Sequence, residues 1–186
     1  MRYRLYEDYG YVLDVLPRPS RRVPRKAQLV NGVIELLGDK YFTLLEAFLK
    51  RGVTVSIGER LLLSRTPESK VAFIIGRLSY HELSAPAQAE LPETIERIVL
   101  ANEDKFVRFF NTSQPISPRM HALELIPGIG KKYMFTILRE RSIKLFTSFQ
   151  DIKSRTGIPD PVKLIVKRVL EELMEDKPRY RLFVKG

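Results

Sequence analysis

Cysteine is absent from the 186 residues. That excludes disulfides, thiol nucleophiles, Cys-ligated zinc and ordinary iron–sulfur clusters. Histidine is nearly absent too: His81 and His121 stand far apart, with no nucleophile motif beside either. An active site needs a constellation of groups rather than a lone imidazole, so the chain is expected not to be an enzyme. No apolar run reaches the roughly 18 residues of a membrane span. The opening Met1–Asp8 lacks the apolar stretch of a signal peptide. The expected address is cytoplasmic, with no membrane partner.

What is plentiful is positive charge. Lys and Arg number 32 against 22 Asp and Glu, a net +10, while 44% apolar residues suffice for a folded core. The excess is uneven. Residues 1–90 hold 14 basic and 10 acidic groups, residues 91–113 hold 3 and 4, and residues 114–186 hold 15 and 8. A surface that concentrates cations in this way attracts polyanions, nucleic acid above all.

The first half reads as short strands: 11–16, 40–48, 53–57, 61–63 and 71–75, with turn signals between them. Residues 40–49 carry a competing helical reading, because Leu, Glu and Ala favour helix. Five such strands fit a small barrel of the oligonucleotide/oligosaccharide-binding (OB) kind. From Leu91 to Phe110 the period changes, and Ile95, Ile98, Val99, Phe106, Phe109 and Phe110 share one helical face, with Pro92 suited to the first turn. Asn111–Pro118 is a turn-rich break, and short helices follow. Helix starts are read at Ser117-Pro118, Thr147–Gln150 and Asp160-Pro161. The last helix places Val162, Ile165, Val166 and Val169 on one stripe. The expected fold is therefore multi-domain α+β: an OB-like β-barrel over 1–90, a bridging helix over 91–113, and an all-α domain with a C-terminal tail over 114–186.

The most informative string is Leu123-Glu-Leu-Ile-Pro-Gly-Ile-Gly-Lys-Lys132. Gly128 and Gly130 permit unusual backbone angles and close approach, and Ile129 can plug the gap between two helices. The amides that open the next helix form an anion nest, with Lys131 and Lys132 beside it. This arrangement would hold a phosphate and read no base. The string resembles the helix-hairpin-helix family. That resemblance implies backbone contacts to nucleic acid at Gly128, Ile129, Gly130, Lys131 and Lys132. It also implies a K+ or Na+ on the carbonyls of Glu124, Ile126 and Ile129, with no other cofactor.

A degenerate copy follows at Phe149–Asp160, where Gly157-Ile158 answers Gly128-Ile129. Tandem hairpins of this sort resemble the second domain of the RuvA junction-binding proteins. Here Pro159 lacks an N–H and Asp160 brings an anion, so the copy is expected to serve structure more than binding. Nearly end to end, the chain also resembles an uncharacterised prokaryotic family regarded as nucleotide- or RNA-binding. The strings that carry this likeness are Tyr41–Glu46, Gly58–Arg60, Leu123–Lys132 and Asp160–Val166. The likeness implies the same two-part architecture and supplies no reaction.

Arg18, Arg21, Arg22, Arg25 and Lys26 form a second basic cluster in a Pro-rich segment between strands, a loop that can contact an oligonucleotide or simply remain solvated. Tyr41, Phe42 and Phe48 are expected in the core rather than as stacking platforms. The functional expectation is sequence-neutral binding of RNA or DNA. Two alternatives stand beside it. One is a protein-interaction module of a transcription or ribosomal complex. The other is a DNA repair enzyme using Asp151 or Asp160, although both residues read better as helix starts.

Overall fold

Strands of the first half are built where apolar residues can face two layers at once. The computed structural model describes residues 6–17 and 32–185. Strands β1 (Tyr9–Leu16), β2 (Val33–Gly38), β3 (Leu44–Leu49), β4 (Arg60–Leu62) and β5 (Val71–Arg77) form one antiparallel sheet in the order β4-β1-β2-β3-β5. The sheet curls into a half-barrel. Its register shifts between Val12 and Asp14, and twice more between β3 and β5, as expected of bulges that bend a strand. Val12, Ile34, Leu36, Leu45, Ala47, Leu61 and Val71 pack on one face, while Val33 and Phe48 pack on the other with Leu16 and Phe73. The 44–49 segment is strand, and Phe42 and Phe48 are core residues.

Two strand assignments change. Val53–Ile57 is irregular, held between turns at Gly52 and Gly58, where φ is +76° and +79°. The strand beside β1 is β4 instead. Strand β2 carried no sequence signal because Glu35 sits at its centre. That side chain is 1% exposed, and it faces Asp14 on β1 and Glu46 on β3. Ser84 makes this possible: its amide donates to the Glu35 carboxylate at 3.1–3.2 Å, and its hydroxyl lies 2.8 Å from Glu35 and 2.7 Å from Asp14. Burial pushes the Glu35 carboxyl above its ordinary range; Ser84 opposes this, and the Asp14 and Glu46 charges add to it.

Five α-helices follow: α1 (Ala85–Ala101), α2 (Glu103–Thr112), α3 (Lys131–Ile143), α4 (Phe149–Thr156) and α5 (Pro161–Met174). The single helix expected over 91–110 is in fact two. Its real start is Ser84, whose hydroxyl accepts from the Ala87 amide at 3.2 Å, so Pro92 lies inside α1. The break comes at Asn102, whose side chain turns back to the Ile98 carbonyl at 2.8 Å. Ser117-Pro118 starts no helix; Pro115–Ser117 pairs with Met120–His121 as a two-strand ribbon, β6 and β7. Two compact units result, one running to Thr94 and resuming at Glu172, the other spanning Ile95–Glu171.

Candidate nucleic-acid interface

The second unit arranges its short helices by capping one element with the side chains of another. Asn111 on α2 donates to the Phe146 carbonyl at 2.9 Å and accepts from the Phe146 amide at 2.8 Å. Glu103 accepts from the Phe149 amide at 2.6 Å and so fixes the start of α4. Arg141 closes the end of α2 by donating to the Phe110 and Ser113 carbonyls, both at 2.9 Å. Arg155 does the same at the end of α3, on the carbonyls of Glu140 and Lys144 at 2.6 and 2.7 Å. Three arginines counted in the basic excess are thus spent inside the unit, because Arg168 also donates to the Leu125 carbonyl at 3.1 Å.

The Leu123–Lys132 segment runs from a 3-10 turn (Ala122–Leu125) into α3. His121 opens the turn: its Nδ1 accepts from the Leu123 amide at 3.1 Å, and its own amide donates to Glu124 at 2.8 Å. The Ile129 amide donates to the Ile126 carbonyl at 3.0 Å. Gly128 then takes φ +92°, and any Cβ there would meet Leu164 of α5 at 3.0 Å. Glycine is favoured here by the backbone angle, and a Cβ would also press on the Leu164 side chain. Ile129 is buried at 3% exposure, whereas Gly128, Gly130, Lys131 and Lys132 are all exposed. Gly130 is the N-cap and offers no side chain, and α3 has no acidic residue in its first turn. The opening amides of α3 therefore carry no capping side chain, and the positive end of the helix faces solvent beside two lysines.

The turn between α4 and α5 has the opposite chemistry. Gly157 ends α4 at φ +71° and Ile158 is 1% exposed. Asp160 then closes the start of α5: its Oδ1 accepts from the Val162 and Lys163 amides at 3.0 and 3.3 Å. A carboxylate of the chain already occupies the place a phosphate would take. Asp151 is likewise engaged, accepting from the Thr147 amide at 3.0 Å and from Arg155 at 3.2 Å. Burial would raise its carboxyl, but those bonds prevail and hold it below its ordinary range.

The basic cluster of Arg18, Arg21, Arg22, Arg25 and Lys26 lies outside the described residues. Among the carbonyls considered for a cation, that of Ile126 already accepts the turn bond, and the Arg168 guanidinium sits on the neighbouring Leu125 carbonyl. No group of three or more His, Asp or Glu side chains is placed to hold a metal ion among the described residues. No described helix is long and apolar enough to cross a membrane.

On and just after α3, three exposed apolar side chains carried no notice in the sequence: Phe135 (63%), Ile143 (73%) and Leu145 (60%). The signal available was a mismatch of period on α3, since Phe135 stands between the inward-facing Met134 and Ile137.

His121 yields a pH test of this unit. The imidazole is buried, and burial together with the Arg141 charge pushes it below the ordinary 6.5, against partial opposition from Glu124. Its neutral form is the one that accepts from Leu123. Above about pH 6.5 the folded and unfolded states bind the same number of protons here, and the contribution is fully present. Below that value the unfolded chain binds the proton first, so stability falls as pH drops toward the depressed folded value. Urea unfolding followed between roughly pH 7.5 and pH 5 should show this decline. His121→Asn, which keeps a capping acceptor, should flatten it. An unchanged slope in the variant would rule His121 out as the source.

Comparison with known proteins follows the same span. The sequence pattern of the DUF655 family, described as a protein of unknown function, matches residues 6–185. The chain is 39% identical over 181 residues to an uncharacterised protein of Methanocaldococcus jannaschii, covering 97% of this chain and 81% of that one. It is also similar to the crystal structure of a DUF655 protein from Archaeoglobus fulgidus, with a TM-score of 0.84 and 39% identity over 96% of this chain and all of that one.

Proposed function

This chain belongs to the DUF655 family, and we propose from its own geometry that it is a non-catalytic, sequence-neutral nucleic-acid-binding protein. The site is the turn of a helix-hairpin-helix, Gly128–Lys132, which grips the sugar-phosphate backbone of RNA or DNA. The second hairpin is its structural partner, the curled sheet plays the part of an OB-like platform, and Arg18, Arg21, Arg22, Arg25 and Lys26 add positive charge to the chain. One observation carries the reading. The start of α5 is closed by Asp160, while α3 has an uncapped start beside Lys131 and Lys132 with no acid in its first turn. Water or an anion must satisfy those amides, and phosphate is the anion this surface suits. A K+ or Na+ on the carbonyls of Glu124, Ile126 and Ile129 would have to share Ile126 and sit beside Arg168, so the grip proposed here does not depend on one.

Contacts of this kind position a duplex without reading its bases. Affinity for duplexes of unrelated sequence should therefore be equal, and it should fall steeply with salt. Each neutralised phosphate adds about −0.9 to the log–log slope, so a handful of contacts predicts a slope of about −3 to −6. Fluorescence anisotropy on labelled duplexes across a salt series measures both quantities. No binding of any DNA or RNA at low salt, or an affinity indifferent to salt, would end the proposal and turn attention to an acidic protein partner.

A further inference from the structure

On α3 the anion-binding end continues into an unusual surface. Lys131, Lys132, Phe135, Arg139, Ser142 and Ile143 are all exposed. At about 100° per residue they fall within one arc of roughly 120°, opposite the buried Met134 and Ile137. Phe135 is 63% exposed. It lies one helical turn beyond Lys131 and one turn before Arg139, with a cation on each side. A lone surface aliphatic needs no explanation, but a solvent-facing phenyl ring flanked by cations is a stacking platform set beside phosphate contacts.

We propose that Phe135 stacks on an unpaired base adjacent to the phosphate held at Gly128–Lys132, so that the preferred ligand is single-stranded or locally unpaired nucleic acid rather than a continuous duplex. This rests on the reading of the hairpin as a backbone grip and adds the class of strand it selects. In an intact duplex both faces of each base are covered by neighbours, and a ring beside the backbone meets only sugar and phosphate edges. Burying phenyl there removes water from polar groups for no matching contact. An unpaired base offers an open π face, and any base serves, which preserves sequence neutrality. Charge agrees with this occupant. The arc holds three cations and no acid, and Glu140, next to it on α3, is bound to Arg139 at 3.1 Å and faces Arg155 at 3.6 Å.

The chain has no tryptophan, which makes Phe135→Trp a single fluorescent reporter at the proposed contact. Titration with an oligothymidylate of about a dozen nucleotides at low salt should quench this tryptophan saturably. A duplex bound to the same extent should quench it much less. Phe135→Leu, which keeps apolar bulk without a ring, should weaken the single strand about 5- to 150-fold, the range of one base–aromatic stack. Duplex affinity should be nearly unchanged in the same variant. Because residue 135 is exposed, circular dichroism should match the native spectrum in both variants.

If Phe135→Trp is not quenched and Phe135→Leu binds the single strand normally, while loss of Lys131 and Lys132 still abolishes binding, stacking is refuted and the backbone grip stands. If neither strand form binds the native protein at low salt, both proposals fall together. A native chain that sediments as a dimer, and becomes monomeric with Phe135→Leu, would assign the ring to a second copy and overturn the inference.

Discussion

Replacing Lys131 and Lys132 together with alanine is expected to weaken duplex binding about 50-fold at roughly 0.1 M salt and to flatten the salt slope by about two units. Both numbers come from one cause. Each lysine that neutralises a phosphate releases condensed counterions and contributes about 0.9 to the slope, which is nearly a factor of ten for each decade of salt below about 1 M. Both side chains are exposed, and neither makes an ion pair or side-chain hydrogen bond among the described residues. Folding should therefore survive their loss. Asp160→Asn is the matched control. It removes the negative charge at the second hairpin while keeping a capping oxygen, so binding should stay level or tighten slightly. If the double lysine variant binds with native slope, while a folded second-hairpin variant loses binding, the site has been placed on the wrong hairpin.

The second large effect concerns the first unit. Glu172, near the end of α5, is 2% exposed and accepts from three successive amides, Leu182, Phe183 and Val184, at 2.7, 3.1 and 2.9 Å. The bonds hold Phe183 and Val184 in the core, and the Lys185 amide then donates to the Tyr41 carbonyl at 3.1 Å. Glu172→Ala leaves three donors without an acceptor in a buried place. At about 1–3 kcal/mol for each orphaned group, partly relieved by water reaching Leu182, the loss should be about 3–5 kcal/mol. Glu172→Gln keeps one acceptor oxygen but turns an NH2 toward the amides, and it should fall between the two. Urea unfolding reads the stability, and limited proteolysis should cut the tail near Lys177–Arg181 in the alanine variant first. A native midpoint and an uncut tail in Glu172→Ala would show that the carboxylate does not anchor this segment.

Much of the Gly128–Lys132 turn was legible because its determinants are local. Gly128 at φ +92°, buried Ile129 and exposed Lys131 and Lys132 are neighbours in the chain, and their spacing alone sets one turn of backbone. The same holds for Asp160, which caps α5 from the next residue, and for the buried stripe of α5. Composition, the absence of cysteine and the excess of cations in the last third likewise need no coordinates.

What escaped depends on partners distant in sequence. Strand β2 was not among the expected strands; a strand with Glu35 at its centre is costly unless something satisfies the carboxylate, and the group that does so is Ser84, 49 residues away. That same serine starts α1, so one residue decided both a hidden strand and a misplaced helix start. Val53–Ile57 has good β propensity but pairs with no strand, and β4 rather than this segment lies beside β1. Net charge also overstated the available cations, since Arg141, Arg155 and Arg168 are turned onto backbone carbonyls. By itself the sequence determined the turn, its glycines and the sign of the surface. Tertiary structure decided which helix start stays open, which arginines are spent inside the fold, and that Phe135 faces water between cations, because each of these depends on what the packed neighbours leave unsatisfied.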